Sequence, residues 1–256
     1  MAMIDILRSR IESFSDEKTA GILQWFFKTG PGQYGEGDRF RGIRVPVLRK
    51  LCREFPRAGL DEVVDLLASP WHEDRLFALL LLVDRYRSAD EARREEIYGT
   101  YCSQTSRINN WDLVDLSAPQ IVGRHLQARD RAPLYCFVAS SSLWERRIAI
   151  VSTFHFIKQG EFFDTLAIAD RLLDDSEELI HKATGWMLRE VGKRDQPVLE
   201  AFLQQQYHRM PRVTLRYAIE RFPEELRKAW LKGTANSRWD PVPNAVVLNP
   251  PEDSKG

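Results

Sequence analysis

The chain has 256 residues, 43% of them hydrophobic, which is enough to bury a full core and favours one domain over two. Its 37 basic residues balance 37 acidic ones, so net charge alone points to no class of partner. Three widely spaced cysteines (Cys52, Cys102 and Cys136) argue against a disulfide framework and against a cysteine-based zinc site. The N-terminus lacks the apolar core of a signal peptide, and the longest apolar run, residues 76–83, is too short to cross a bilayer. We therefore expect a soluble, cytoplasmic protein.

Helical apolar spacing over residues 4–29 predicts two helices separated by a short polar break. The glycines of residues 30–38 then spell G-x-G-x-x-G. A dinucleotide site is excluded here, because a helix rather than a strand precedes the glycines and no parallel βαβ pattern surrounds them. We expect a flexible or hairpin-like loop, followed by a helix that begins near Pro46. The exit of this loop is basic, with Arg39, Arg41 and Arg44.

The rest of the chain, up to residue 231, reads as helix after helix, and no run alternates strictly enough for a strand. Similar apolar helices are centred on four alanines, Ala78, Ala149, Ala183 and Ala218. The last three are 34 and 35 residues apart, and the first two are 71 apart, about two such units. Each unit then holds two antiparallel helices. The sequence predicts an all-α fold, a curved solenoid of antiparallel helix pairs like HEAT repeats, as a single domain over residues 1–232.

Residues 233–256 differ in character from this array. They are rich in proline and lack helical periodicity, which predicts a tail that is disordered or lies along the body in extended form. No chemistry is assigned to the tail.

A candidate site lies near the middle of the chain, where two asparagines precede an apolar-periodic run. Asn110 is a good N-cap, so we expect a helix that begins at Trp111 or one residue earlier. Trp111 and Asp115 then share one face, one turn apart, while Asp112 points elsewhere. An indole beside a carboxylate can bind a cationic group. The alternative is that Trp111 is only a packing residue and that the acid only interacts favourably with the helix dipole.

Basic and aromatic residues recur on the equivalent helices of later repeats. Between residues 182 and 232, eleven basic residues stand against six acidic ones. Cations interleaved with aromatic rings suit a nucleic-acid groove, although a chance excess of surface charge is the alternative. The candidate DNA-binding residues are Arg146, Lys182, Arg189, Lys193, Arg212 and Arg216.

Metal and hydrolase motifs are absent from the sequence. The five histidines (His72, His125, His155, His181 and His208) are scattered without metal-ligand spacing. No G-x-S-x-G motif marks a serine nucleophile. We expect no metal, and we expect each histidine to be a surface or groove residue rather than a ligand.

Three segments carry a resemblance to a known family: Asn-Trp-Asp-Leu-Val-Asp at residues 110–115, Leu-Trp-Glu-Arg-Arg-Ile-Ala at 143–149 and Lys-Ala-Thr-Gly-Trp-Met-Leu-Arg-Glu at 182–190. Together they resemble the AlkD-like DNA alkylation repair glycosylases, which are built from HEAT-like repeats, and the likeness extends over roughly residues 4–230. It implies hydrolytic removal of N3- and N7-alkylated purines from double-stranded DNA, without a metal or cofactor. The family's catalytic Asp, two Trp and Arg match Asp115, Trp111, Trp186 and Arg147.

The same resemblance leaves two other functions open. One is a non-catalytic protein that binds branched or damaged DNA with the same basic groove, and the other is a protein-binding helical scaffold. The loop at residues 30–42 is longer than the corresponding turn of the best-known family member. Nothing in the sequence suggests more than a monomer.

Overall fold

The computed structural model describes residues 2–56 and 58–235. Over these residues the regular structure is helical, apart from one isolated bridge between Arg39 and Trp71. The all-α prediction is therefore confirmed. The chain divides into two compact units, Met1–Arg129 and Asp130–Gly256. The single domain over residues 1–232 stays a prediction, and the proposed tail falls almost entirely outside the described residues.

The first unit is organised around one long helix. Its helices are α1 (Met3–Glu12), α2 (Glu17–Phe26), α3 (Val45–Cys52), α4 (Leu60–Leu67), α5 (His72–Ser88), α6 (Glu91–Ser103) and α7 (Trp111–Ser117), and a π-helical turn (Pro119–Gly123) follows α7. Thirteen of the 17 residues of α5 are buried, because α3, α4 and α7 all pack against it. Helix α5 is thus the core of this unit. Its N-terminal turn lies next to the N-terminal turn of α7.

The second unit has the repeating arrangement that the alanine spacing predicts. Its helices are α8 (Ala132–Val138), α9 (Leu143–Ser152), α10 (Phe154–Lys158), α11 (Phe163–Leu172), α12 (Glu178–Gly192), α13 (Gln196–Gln206), α14 (Arg212–Ala218) and α15 (Glu224–Lys232). Helix α12 packs against α9 on one side and α14 on the other. Ala149, Ala183 and Ala218 are all buried in these contacts. A Cβ on Gly185 would lie 2.5 Å from Cβ of Tyr217, so only glycine permits the approach of α12 to α14.

The loop at residues 30–42 is a series of turns, and it forms no hairpin. Its Gly35 donates a backbone hydrogen bond to the carbonyl of Lys28 at 3.1 Å, which folds the loop back on the end of α2. Gly42 adopts a φ of 82°, and an added Cβ there would lie 2.6 Å from the backbone nitrogen of Ala20. The loop is therefore packed closely on α2, and the hairpin alternative is wrong.

Candidate functional site

Helix α7 begins at Trp111, as the sequence predicts. The Asn110 side chain accepts a hydrogen bond from the backbone N–H of Trp111 at 2.9 Å. The indole ring is half-buried. It stacks on Phe27 with ring centroids 5.1 Å apart and planes 22° apart, and it meets Phe26 edge to face at 5.9 Å. One side of the ring is thus fixed by the end of α2, while part of the indole stays open to solvent.

Asp115 lies one turn further along α7 and is partly exposed. It lines a cavity of about 130 Å³ together with residues of α3 and α5, among them Arg49, Asp84 and Arg87. A polar space of this size is large enough for water molecules. Trp111 and Asp115 are therefore neighbours on one helix, as their spacing predicts, but the indole contacts aromatic rings and the carboxylate faces a charged cavity.

Asp112 points inward, where sequence reasoning assigned it no role. It is only 7% exposed, and its Oδ2 lies 2.8 Å from Nε2 of His72. The other ring nitrogen, Nδ1, lies 2.8 Å from Oδ2 of Asp38, and Asp38 also accepts a hydrogen bond from Arg75. The Asn110 amide donates a longer bond of 3.4 Å to Asp38. We call these five residues the His72 network.

The neighbouring charges shift the pKa values of His72 and Asp38. Burial is the largest single influence on His72 and lowers its pKa, but the charges and hydrogen bonds of Asp112 and Asp38 outweigh it and raise the pKa to about 9. Burial likewise raises the pKa of Asp38, and the bonds and charges of His72 and Arg75 outweigh it, so that pKa is held below its usual value. At neutral pH His72 therefore keeps its proton and Asp38 is ionised.

This network corrects one expectation from the sequence. His72 and His125 are each 1% exposed, so the prediction of surface or groove histidines is wrong for both. Sequence spacing gave little signal for the network, since Asp38 and Asp112 lie 34 and 40 residues from His72. The available hint was a histidine next to two acids, a few residues before the apolar run at residues 76–83.

Two of the basic residues at the end of the loop, Arg39 and Arg41, contact other side chains of the first unit. The Nε of Arg41 donates to Asp74 at 2.9 Å, and its guanidinium lies 4.6 Å from the centre of the Trp71 ring. Arg39 is exposed and lies over the same ring at 4.4 Å. Glu73 accepts hydrogen bonds from three successive backbone N–H groups, those of residues 41–43. These contacts attach the loop to the N-terminal turn of α5.

In the second unit, Trp186 is half-buried on α12, and its ring centroid lies 5.9 Å from that of Phe154. Arg147 on α9 is 5% exposed, and its Nη1 donates to the carbonyl of Leu179 at 2.7 Å. This bond ties α9 to the first turn of α12. The catalytic role that the family resemblance implies for Arg147 stays a prediction.

The neighbouring Arg146 is also engaged within the fold. Its guanidinium donates to both carboxylate oxygens of Asp175, at 2.6 and 3.2 Å, and to the carbonyls of Ser140 and Ser141. A bidentate arginine pair with both partners mostly buried holds a loop in place. Its contact with DNA likewise stays a prediction.

Among the five other candidate DNA-binding residues, Arg216 is exposed and forms no hydrogen bond or ion pair with any residue that the structure describes. The other four have partners inside the second unit: Lys182 with Glu178, Arg189 with Glu220, Lys193 with Glu190, and Arg212 with the carbonyl of Leu231. A phosphate would have to replace or join these partners, except at Arg216.

Residues 2–56 and 58–235 contain no cluster of three or more His, Cys, Asp or Glu side chains suited to a metal ion. None of the three cysteines is in a disulfide. No helix in this part of the chain is both long and apolar enough to cross a bilayer.

Comparisons with known proteins agree with the helical architecture. The model of the family described as DNA alkylation repair enzyme matches residues 7–222. A solved structure from Enterococcus faecalis, described as a predicted DNA alkylation repair enzyme, is similar with a TM-score of 0.63 and 15% identity, over 82% of this chain and 97% of that one. At this identity the likeness concerns the fold. No curated protein matches the chain. Because the family model spans most of the sequence, the chain belongs to the family of DNA alkylation repair enzymes.

Proposed function

We propose that the protein is a DNA glycosylase that hydrolyses the N-glycosidic bond of N3- and N7-alkylated purines in double-stranded DNA. The observation that carries this proposal is that α7 holds a partly exposed carboxylate, Asp115, one turn from a partly exposed indole, Trp111. The chain that presents them belongs to this repair family. Duplex DNA as partner, a monomeric state and a cytoplasmic location are parts of the same proposal.

The chemistry needs only one carboxylate because the lesion is already activated. Alkylation at N3 or N7 makes the purine cationic, so the base leaves as a neutral molecule and requires no general acid. Ordinary glycoside hydrolysis uses two carboxyl groups, one of which protonates the leaving group. Asp115 therefore stabilises the positive charge that develops on the sugar and orients the attacking water.

Trp111 contributes an aromatic face to the same step. An indole attracts a cation by about 0.5 to 2 kcal/mol, depending on how far the site is desolvated. Stacking on Phe27 fixes the Trp111 ring before DNA binds, so little side-chain entropy is lost in the complex. Trp186 is assigned a similar role and Arg147 a phosphate contact, both from the family resemblance.

Release of the free base tests the proposal. Duplex DNA that carries 7-methylguanine is incubated with the full-length protein, and the liberated bases are measured. We expect wild-type protein to release 7-methylguanine and Asp115→Asn to lose this activity while it keeps most of its DNA affinity. Asp84→Asn is the matched control, because Asp84 lines the same cavity and carries the same charge.

Two results would replace the proposal. Salt-sensitive binding to branched or gapped DNA, with no released base at any protein concentration, favours the non-catalytic DNA-binding function. A lack of DNA retention even at low salt favours a protein-binding scaffold.

A further inference from the structure

The His72 imidazole is held between two carboxylates. Each ring nitrogen lies 2.8 Å from an oxygen, Nδ1 from Asp38 and Nε2 from Asp112. An ionised carboxylate only accepts hydrogen bonds, so both ring nitrogens must donate, and only the protonated imidazolium has two N–H groups. The side chains are almost fully buried, which makes an unpaired polar atom costly. With both carboxylates ionised, this geometry fits a protonated, cationic imidazole at His72.

The charges around this cation are balanced. Asp38 also accepts a hydrogen bond from Arg75, so two cations face two carboxylates in the connected group. The neighbouring acids of α5 are occupied elsewhere: Glu73 by the backbone N–H groups of residues 41–43, and Asp74 by Arg41 and Ser69. The N-terminal end of α5 disfavours a cation at its first residue, and the two carboxylates oppose that effect.

The imidazole also belongs to a stack of rings that ends at Trp111. His72 stacks on Phe40, with centroids 4.5 Å apart and planes 22° apart, and its ring lies 5.0 Å from that of Phe27. Phe27 in turn stacks on Trp111 at 5.1 Å. His72 is therefore connected to Trp111 in two ways. The ring of Phe27 contacts both side chains, and His72 is hydrogen-bonded to Asp112, the residue that follows Trp111 in the chain.

We infer that His72 is a positioning residue for the candidate catalytic helix. A protonated imidazole holds Asp112 and the Phe27 ring in place, and so sets the orientation of the Trp111 indole and of the first turn of α7. Asp38 binds the other ring nitrogen of His72 and so attaches the loop at residues 30–42 to the same imidazole. This role rests on the proposed function, since it concerns the geometry with which Trp111 and Asp115 meet DNA.

The first arm of the test measures protonation and ring placement without any reaction. In full-length protein labelled with ¹⁵N at histidine and tryptophan, both ring nitrogens of His72 should carry a proton at pH 7. The indole N–H resonance of Trp111 should shift in His72→Gln. His125→Gln is the matched control, because His125 is equally buried in the same unit but stacks on Tyr98 and not toward Trp111.

The second arm measures catalysis under single-turnover conditions. Misplacement of a reacting group by about 1 Å costs up to roughly a hundredfold in rate. We expect His72→Gln to lower the excision rate of 7-methylguanine at least tenfold, on that scale, with affinity for undamaged duplex DNA nearly unchanged. Asp112→Asn keeps an acceptor for Nε2 and should retain more activity than His72→Gln, and His125→Gln should excise normally.

The two arms separate failure of the inference from failure of the proposed function. If wild-type protein releases no base but the Trp111 resonance responds to His72→Gln alone, the proposed reaction is wrong and the positioning role stands. If His72 is neutral at pH 7, the inference is overturned. It is also overturned if the Trp111 resonance and the excision rate are the same in His72→Gln as in wild type.

Discussion

Because His72 is protonated and buried in the fold, we expect the free energy of unfolding to fall at alkaline pH. The pKa of histidine is ordinarily 6.5, and that of His72 in the fold is about 9. Because the folded protein binds the proton more tightly than the unfolded chain, the stabilisation is fully present below pH 6.5 and is lost as the pH rises through 9. A pKa difference of about 2.5, at about 1.4 kcal/mol for each unit, gives a total of about 3 to 4 kcal/mol.

Denaturation by urea between pH 5.5 and 10 measures this effect, with His72→Gln as the reference. Most other titrating groups are common to both proteins, so the difference in their free energies of unfolding isolates His72. We expect this difference to be constant below pH 6.5 and to shrink by about 3 to 4 kcal/mol as the pH approaches 9 and exceeds it. A difference that stays constant from pH 6.5 to 9 would refute a protonated His72.

Two further predictions concern packing and DNA binding. Gly185→Ala should destabilise the protein by about 1 to 3 kcal/mol, because its Cβ collides with α14. Gly99→Ala, on the open side of α6, should instead stabilise it by about 0.5 to 1 kcal/mol, and thermal unfolding measures both. Arg216→Glu should weaken binding of duplex DNA and reduce the salt dependence of that binding by about one counterion or more, measured by titration at several salt concentrations. Equal affinity and slope in this variant would remove Arg216 from the DNA interface.

Local signals made much of the fold predictable. Asn110 and Pro46 mark the starts of α7 and α3 because a cap and an N-terminal proline act within one turn. The spacing of the buried alanines gave the succession of α9, α12 and α14, since each repeat places a small residue at the same packing contact. Both kinds of signal depend only on residues close in sequence or on a regular period.

The His72 network could not be predicted in the same way. Its members come from a loop and from the N-terminal turns of two helices, so only the tertiary fold brings Asp38 and Asp112 to one imidazole. The basic segment shows a related limit. Its excess of positive charge is visible in the sequence, but the pairing of Arg189 with Glu220 depends on the packing of the helices. A count of charges therefore overstates the cations that are available to DNA.

Under the proposed function, Asp115 performs hydrolysis of the N-glycosidic bond of a cationic alkylpurine. The most direct measurement is the single-turnover release of 7-methylguanine from duplex DNA by wild-type protein, Asp115→Asn and Asp84→Asn, each with its DNA affinity determined in parallel. Rapid release by wild type and Asp84→Asn, with none above the spontaneous rate from Asp115→Asn at similar affinity, is the predicted result. Release by Asp115→Asn at the wild-type rate would contradict the claim.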